Sequence, residues 1–275
     1  GIMPIQPWLA ILTCLIIVLS GCMKEVEKPV APPAPKPRVE LTGPYDTDIP
    51  KEYRERLLGV DADDWTIAPV FLAIADHFEV EGAEGKALHF LDRAGTAFAR
   101  KNDASGEALA FCRKALLVMR AGDESEALDL LREGGERWTN PPLRAFPAYL
   151  EGRHALEQGD FRRAGELLGR SLRDNRDFRK DLHLMELRRD AELAAGTVEV
   201  LSYHLPRLMA PSGIPETPET ESSRAGEGSA HLDAALAINR ELRQTRLGTL
   251  IPERVFERYR AEAYTFMGFD MGMRG

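Results

Sequence analysis

The residues that could do chemistry are few: three cysteines and six histidines among 275 residues, beside 44 acidic side chains. No two histidines are four residues apart, the spacing that would place two imidazoles on one helix face to bind a metal ion. The sequence also lacks the HExxH, CxxC, GxGxxG, GxSxG and P-loop motifs, which position metals, thiols, nucleotides and nucleophiles. We therefore predict no catalytic residue, no metal site and no cofactor.

The acidic residues leave one enzymatic alternative open. Residues 61–65, DADDW, alternate acids as a calcium loop does, but the glycine of the sharp turn and the later bidentate glutamate are missing. Two carboxylates that the fold brings together could cleave a glycosidic bond, although the sequence singles out no pair. An enzyme acting on cell-wall glycan therefore remains an alternative function.

Cys22 stands where the chain changes character. Residues 8–19, WLAILTCLIIVL, carry no charge and match the apolar core of a signal peptide in length, whereas a membrane span needs about 20 residues. Residues 19–22, LSGC, resemble the lipobox of bacterial lipoproteins, in which small residues admit a peptidase and the thiol takes a lipid. The resemblance implies a signal peptide over residues 1–21 and lipidation at Cys22, with an uncleaved membrane anchor as the alternative.

The same resemblance implies a location. In Gram-negative lipoproteins an Asp directly after the lipidated cysteine favours the inner membrane, and this chain has Met23 there. The implied location is the outer membrane, facing the periplasm. Residues 24–50 hold seven prolines, which remove amide donors and favour extended chain. We predict that residues 22–50 form a lipidated, proline-rich spacer.

The charge balance limits the partners. The net charge is −8 and the sequence pI is about 5.4, whereas binding to a nucleic-acid backbone requires clustered lysines and arginines. We therefore expect no nucleic-acid partner.

The body of the chain contains an internal repeat. Residues 108–134 align without a gap on residues 145–171 at a shift of 37, and residues 68–94 align on residues 108–134 at a shift of 40. The copies share a small residue, a glycine, an alanine and an apolar position. These are Ala75, Ala115 and Gly152; Gly82, Gly122 and Gly159; Ala87, Ala127 and Ala164; and Leu91, Leu131 and Leu168. Each copy predicts a helix, a glycine that ends it in the left-handed conformation, and a second helix.

This pattern resembles the tetratricopeptide repeat, with spacings of 37 and 40 instead of 34 and with Lys114 and Glu151 where leucine is usual. The resemblance implies an all-α fold, a right-handed solenoid of helix-turn-helix units over residues 51–205, whose first helices line a partner-binding groove. Carried over in this register, the groove positions are Leu72, Asp76, Cys112, Leu116, Tyr149 and Arg153. The alternatives are a buried core thiol at Cys112, a core side chain at Tyr149 and a solvated Arg153.

Beyond the repeats the pattern weakens. Apolar residues around residue 190, with Gly196 as a break, predict a fourth hairpin. Residues 206–230 hold four prolines and many small polar residues, which predicts a flexible loop. Residues 231–275 predict a C-terminal helical segment. The apolar face of its last helix consists of Phe256, Tyr259, Ala263, Phe266 and Met267.

Taken together, these features predict a scaffold that catalyses nothing. It would be held at the membrane through the lipid on Cys22 and would bind other proteins of the cell envelope, in envelope assembly or secretion. A structural envelope protein that self-assembles through its Met-rich C-terminus is a further alternative to the glycan-acting enzyme.

Overall fold

The computed structural model describes residues 39–58, 60–61, 64–209 and 218–274, with the side chains of these residues except 206–229 and 272–274. In this part of the chain all the regular secondary structure is helical and there is no strand, which confirms the all-α class. The α-helices are α1 (Lys51–Leu58), α2 (Ile67–Val80), α3 (Glu84–Arg100), α4 (Ala104–Ala121), α5 (Glu124–Arg137), α6 (Ala145–Glu157), α7 (Phe161–Asp174), α8 (Leu182–Met209), α9 (Pro218–Arg243) and α10 (Glu253–Arg274). Short 3-10 helices cover Asp46–Asp48 and Phe178–Lys180.

The three sequence repeats form three helix hairpins: α2 with α3, α4 with α5, and α6 with α7. Each turn contains the predicted glycine in the left-handed conformation, with φ of 70° at Gly82, 83° at Gly122 and 75° at Gly159. The aspartate after Gly122 then caps the second helix, because Oδ1 of Asp123 accepts the backbone N–H of Glu126 at 3.0 Å. The local signals in the sequence therefore predicted these turns correctly.

The two helices of each hairpin pack together at the small residues predicted from the sequence. Ala87, Ala127 and Ala164 are fully buried at the start of the second helices. In α6 a Cβ added to Gly152 would lie 2.9 Å from Cγ of Leu168 and 3.3 Å from its backbone nitrogen. Since real Cβ contacts are almost never this short, α6 and α7 approach closely only because residue 152 has no side chain.

Replacement of Gly152 by valine should therefore destabilise the protein by about 2 kcal/mol through overpacking. Gly135 in α5 is a matched control, because it is exposed and a Cβ there would meet nothing within 4 Å. Gly135→Val should be close to neutral, since valine has a slightly better helix propensity than glycine. Urea unfolding of both variants measures the difference, and equal effects would rule out close packing at residue 152.

The predicted fourth hairpin is wrong. α8 runs without a break from Leu182 to Met209, and Gly196 is not among the glycines with positive φ. The hydroxyl of Thr197 donates to the carbonyl of Leu193 at 2.9 Å, and both residues are buried inside the helix. Gly196 is followed by Thr197 and Val198, whereas Gly122 and Gly159 are followed by Asp. Since Gly82 ends a helix without a side-chain cap after it, the packing of α9 along α8 is the further feature that distinguishes Gly196.

The predicted loop over residues 206–230 also needs correction. α8 extends to Met209, and α9 begins at Pro218 and packs along α8. Proline suits a first helical turn, and the glutamates and alanines that follow allow a helix although they lack an apolar periodicity. The part of the predicted loop over residues 210–217 lies outside the described residues.

The end of the predicted spacer belongs to the folded unit. Ile49 is buried, and Val39 and Leu41 pack against the core. Asp46 is buried as well, where it pairs with Arg93 of α3. The prolines become sparse after residue 37 and apolar residues follow, which explains why the chain packs here. The predicted signal peptide, Cys22 and the spacer up to residue 38 lie outside the described residues.

The last helix, α10, packs on α8 and α9. Phe256 and Ala263 are buried, while Tyr259, Phe266 and Met267 are partly buried against the apolar cluster between these helices. The predicted apolar face of α10 is therefore confirmed. Among the described residues, no helix combines the length and apolar character that crossing a bilayer requires.

Candidate functional site

A polar cavity of about 240 Å³ lies among α2, α4, α6, α8 and α10. Its lining consists of four arginines, four carboxylates, two tyrosines and two leucines, and α10 contributes Arg258, Tyr259 and Glu262. The first helices of the three hairpins thus face one cavity together with the C-terminal helix. The cavity has as many arginines as carboxylates, so the pairing of these side chains decides what the cavity can bind.

Four of the six groove positions expected from the sequence line this cavity: Asp76, Leu116, Tyr149 and Arg153. Leu72 and Cys112 are buried in the apolar core instead. On α4 the neighbour of Cys112, Arg113, faces the cavity, because successive residues of a helix point about 100° apart.

Cys112 is a buried thiol, in agreement with the alternative drawn from the sequence. Its Sγ lies 3.6 Å from the carbonyl oxygen of Phe146, and burial raises the pKa of the thiol far above its usual range. Since the thiolate is the nucleophilic form, this cysteine is a packing residue and a poor nucleophile.

Arg113 is at the centre of the charge network. Its Nη1 lies 2.8 Å from Oδ1 of Asp76, and its Nη2 donates to Oε2 of Glu186 on α8. Burial raises the pKa of Asp76, although Arg113 opposes this. Burial also acts to raise the pKa of Glu186, but the charges of Arg113 and His183 lower it to about 2. One guanidinium therefore holds two buried carboxylates from helices that are about 110 residues apart in sequence.

Glu79 connects α10 to the hairpins. Its Oε1 lies 3.0 Å from Nη2 of Arg120 and 3.2 Å from Nη1 of Arg258. Burial acts to raise the pKa of Glu79, yet the two arginines lower it below its usual value. Arg254, one turn before Arg258, contacts Nδ1 of His77. α10 is thus held across the first helices by polar side chains.

A second set of contacts fixes α10 on α8 and α9. The guanidinium of Arg189 lies 3.6 Å from the ring centroid of Tyr259, a cation–π contact, and its Nε donates to Asp190 at 3.0 Å. Asn239 of α9 donates to the carbonyl oxygen of Phe256 at 3.0 Å. Burial raises the pKa of Tyr259 to about 12, so its hydroxyl keeps its proton at neutral pH.

Arg153 differs from the other arginines of the cavity. Its Nη1 donates to the hydroxyl oxygen of Tyr149 at 3.4 Å, and no carboxylate lies within 4 Å of it among the described residues. Its Nε is buried and has no hydrogen-bond partner in the part of the chain that the structure describes. Among the residues that the structure describes, Arg153 is thus the one cationic side chain of the cavity without a direct ion pair.

Sequence reasoning missed Arg113, Glu186 and Arg189. Glu186 and Arg189 are almost completely buried in α8 although they lie in a charged segment, residues 186–192, ELRRDAE, so no local pattern indicated their burial. Their partners on α4, α9 and α10 could not be inferred either, because contacts between distant segments leave no local pattern.

The described residues contain no group of three or more His, Cys, Asp or Glu side chains arranged to hold a metal ion. Comparison of the chain with protein-family models, with curated proteins and with solved structures gave no match.

Proposed function

We propose that this chain is a lipid-anchored scaffold of the cell envelope that binds protein partners through its helical repeats. The anchor rests on residues 19–22 of the sequence, LSGC, with lipid on Cys22. The repeats are proposed to form a tetratricopeptide-like, right-handed solenoid, a proposal that the three glycine-centred hairpins support. The scaffold is expected to be non-enzymatic and to serve envelope assembly or secretion at the outer membrane.

The observation that carries this proposal is an exposed apolar face on α10. Tyr264 is 57% exposed and Met271 is 68% exposed, and their spacing of seven residues puts them on one side of the helix. Exposed aromatic and methionine side chains in one place are typical of protein-binding surfaces, because they offer large apolar contact area.

α10 changes where a partner can bind. It lies over the cavity and buries Tyr149, so the first helices do not present an open groove to a protein segment. We therefore place the partner on the outer face of α10, the face that carries Tyr264 and Met271. A second copy of this chain on the same face is the self-assembling alternative.

A photoreactive residue at position 264 tests the proposal on membranes that carry the full chain. Crosslinks to one or a few envelope proteins are expected, and they should disappear when Met271 is changed to Glu. A photoreactive residue at Leu128 of α5, which is 50% exposed, is the matched control and should not give these products. Crosslinks to the chain itself would identify self-assembly, and identical products from both positions would contradict a binding face on α10.

The same preparation tests the anchor. Cys22→Ala should leave the thermal unfolding unchanged and move the protein from the membrane to the soluble fraction, because a buried lipid chain supplies the membrane affinity. Unchanged membrane association of Cys22→Ala would contradict lipidation at this residue.

A further inference from the structure

Arg153 and Tyr149 form a pair of hydrogen-bond donors that faces the cavity. Tyr149 is 3% exposed, and its hydroxyl oxygen accepts from Nη1 of Arg153. Because that oxygen is the acceptor in this contact, its own proton points elsewhere, and it has no acceptor among the described residues. Burial raises the pKa of this hydroxyl well above its ordinary value, so the proton stays on the oxygen.

The other arginines of the cavity do not share this property. Arg113 binds two carboxylates, and Arg120 and Arg258 both bind Glu79. Arg153 is only partly buried, but its Nε is buried and unpartnered, and the buried hydroxyl of Tyr149 has an unpartnered proton; such donors are costly unless a ligand or water satisfies them. Both groups are donors, so the group that satisfies them must be an acceptor, and a negative charge is favoured.

We propose that the cavity binds a small monocarboxylate, a molecule with the size of an amino acid or a dipeptide. The planar guanidinium of Arg153 can donate two parallel N–H bonds to the two carboxylate oxygens, and Tyr149 donates a third hydrogen bond. Leu116 and Leu193 line the same cavity and contact the apolar part of the molecule. This site is separate from the partner surface on α10 and does not depend on the proposed scaffold function.

Charge and space both restrict the ligand. Asp76, Glu79, Asp190 and Glu262 line the cavity, so a second negative charge on the ligand would be repelled. A dianion such as hydrogen phosphate is therefore disfavoured. A volume of about 240 Å³ holds roughly eight water molecules, which admits a small molecule and excludes a helix.

The test uses N-acetylglycine as a probe on the full chain, with N-acetylglycine amide and inorganic phosphate as comparisons. The ¹⁵N–¹H signal of Arg153 Nε reports the binding directly and is followed during titration. We expect a saturable shift with N-acetylglycine, none with the neutral amide, and binding to phosphate at least tenfold weaker. Arg153→Gln should abolish binding and Tyr149→Phe should weaken it severalfold, while Arg162→Gln, at an exposed ion pair with Glu166, should leave it unchanged.

Circular dichroism establishes that each variant is folded. If Arg153→Gln does not fold, Arg153→Lys, which keeps the charge and loses the two parallel donors, takes its place and should also weaken binding severalfold. The absence of a saturable shift, or equal binding by the wild type and the folded Arg153 variant, would overturn the proposed site. Because the crosslinks from position 264 are measured separately, the scaffold and the carboxylate site can fail independently.

Discussion

Replacing Arg113 with leucine should lower the free energy of unfolding by about 3–5 kcal/mol, the range observed when one partner of a buried ion pair is removed. The variant leaves Asp76 and Glu186 buried, with side-chain exposures of 6% and 2%, and without the cation that both contact. Urea denaturation at neutral pH measures the loss. Arg132→Leu is the matched control, because that arginine and its partner Asp129 are both largely exposed, and it should cost less than about 1 kcal/mol.

A triple variant separates the charge effect from the loss of packing. When Asp76→Asn and Glu186→Gln are added to Arg113→Leu, no unpaired charge remains, so most of the lost stability should return. If Arg113→Leu costs no more than Arg132→Leu, the charges at Asp76 and Glu186 are reached by water and the buried network does not exist. If the triple variant stays as unstable as the single one, packing of the long arginine side chain is what α4 loses.

The three hairpins could be predicted from the sequence because their determinants are local. Each hairpin has a glycine in the left-handed conformation and a small residue at the helix contact, and the second and third also have an aspartate that caps the second helix. These features lie within about 40 residues of chain and are recognisable from the residue types. Gly196 shows the limit of this reasoning. Glycine is the residue type that suits a turn, and Gly82 forms one without a side-chain cap, yet the helix continues through Gly196, where the packing of α9 along α8 supports the longer helix.

The cavity could be predicted only in part, and for a different reason. The resemblance to tetratricopeptide repeats, carried over in the register of the helical periodicity, implied that Asp76, Tyr149 and Arg153 lie on one side of the hairpins. Nothing in that periodicity indicated that α10 returns to contact this side. An amphipathic pattern shows that a helix has a buried face, but it does not show which element packs against that face. The apolar face of α10 was visible, whereas Arg258 and Glu262, on the side that meets the cavity, look like ordinary solvated charges.

The network also explains how a polar interface can hold α10 in place. Arg113 fixes α2, α4 and α8 relative to one another, and Glu79 then presents a carboxylate that Arg258 reaches from α10. Since Glu79 also pairs with Arg120, its carboxylate is not available for an ion pair with Arg153. With the other arginines paired in this way, Arg153 has no carboxylate within 4 Å in the part of the chain that the structure describes.

The free energy of unfolding should fall by about 3 kcal/mol between pH 6 and pH 10 because of the titration of one residue, His183. Burial acts to lower its pKa, but Asp103 and Glu186 raise it to about 9, against 6.5 for the ordinary imidazole. The carboxylates lie 3.4 Å and 3.8 Å from its ring nitrogens, and the ring of Phe98 packs on it edge to face. Asp181 reaches the same cluster through a hydrogen bond from Ser105.

The sign follows from proton binding. Between pH 6.5 and 9 the folded protein holds a proton on His183 that the unfolded chain has released, so this contribution is complete below pH 6.5 and is lost as the pH rises through 9. His231 has a pKa raised by Glu192 and acts in the same direction, so the comparison must be made against a variant at residue 183. In His183→Gln the decrease in unfolding free energy over this range should be smaller by about 3 kcal/mol.

Asp103→Asn is the informative second variant. Asp103 caps α4 by accepting the N–H of Gly106 at 2.9 Å, and asparagine caps equally well, so the change removes the charge and keeps the cap. The midpoint of the His183 titration, followed by NMR, should lie near 9 in the wild type and move towards 6.5 in this variant. A midpoint near 6.5 in the wild type would mean that the two carboxylates do not hold the proton, and the pH dependence would then have to come from another part of the chain.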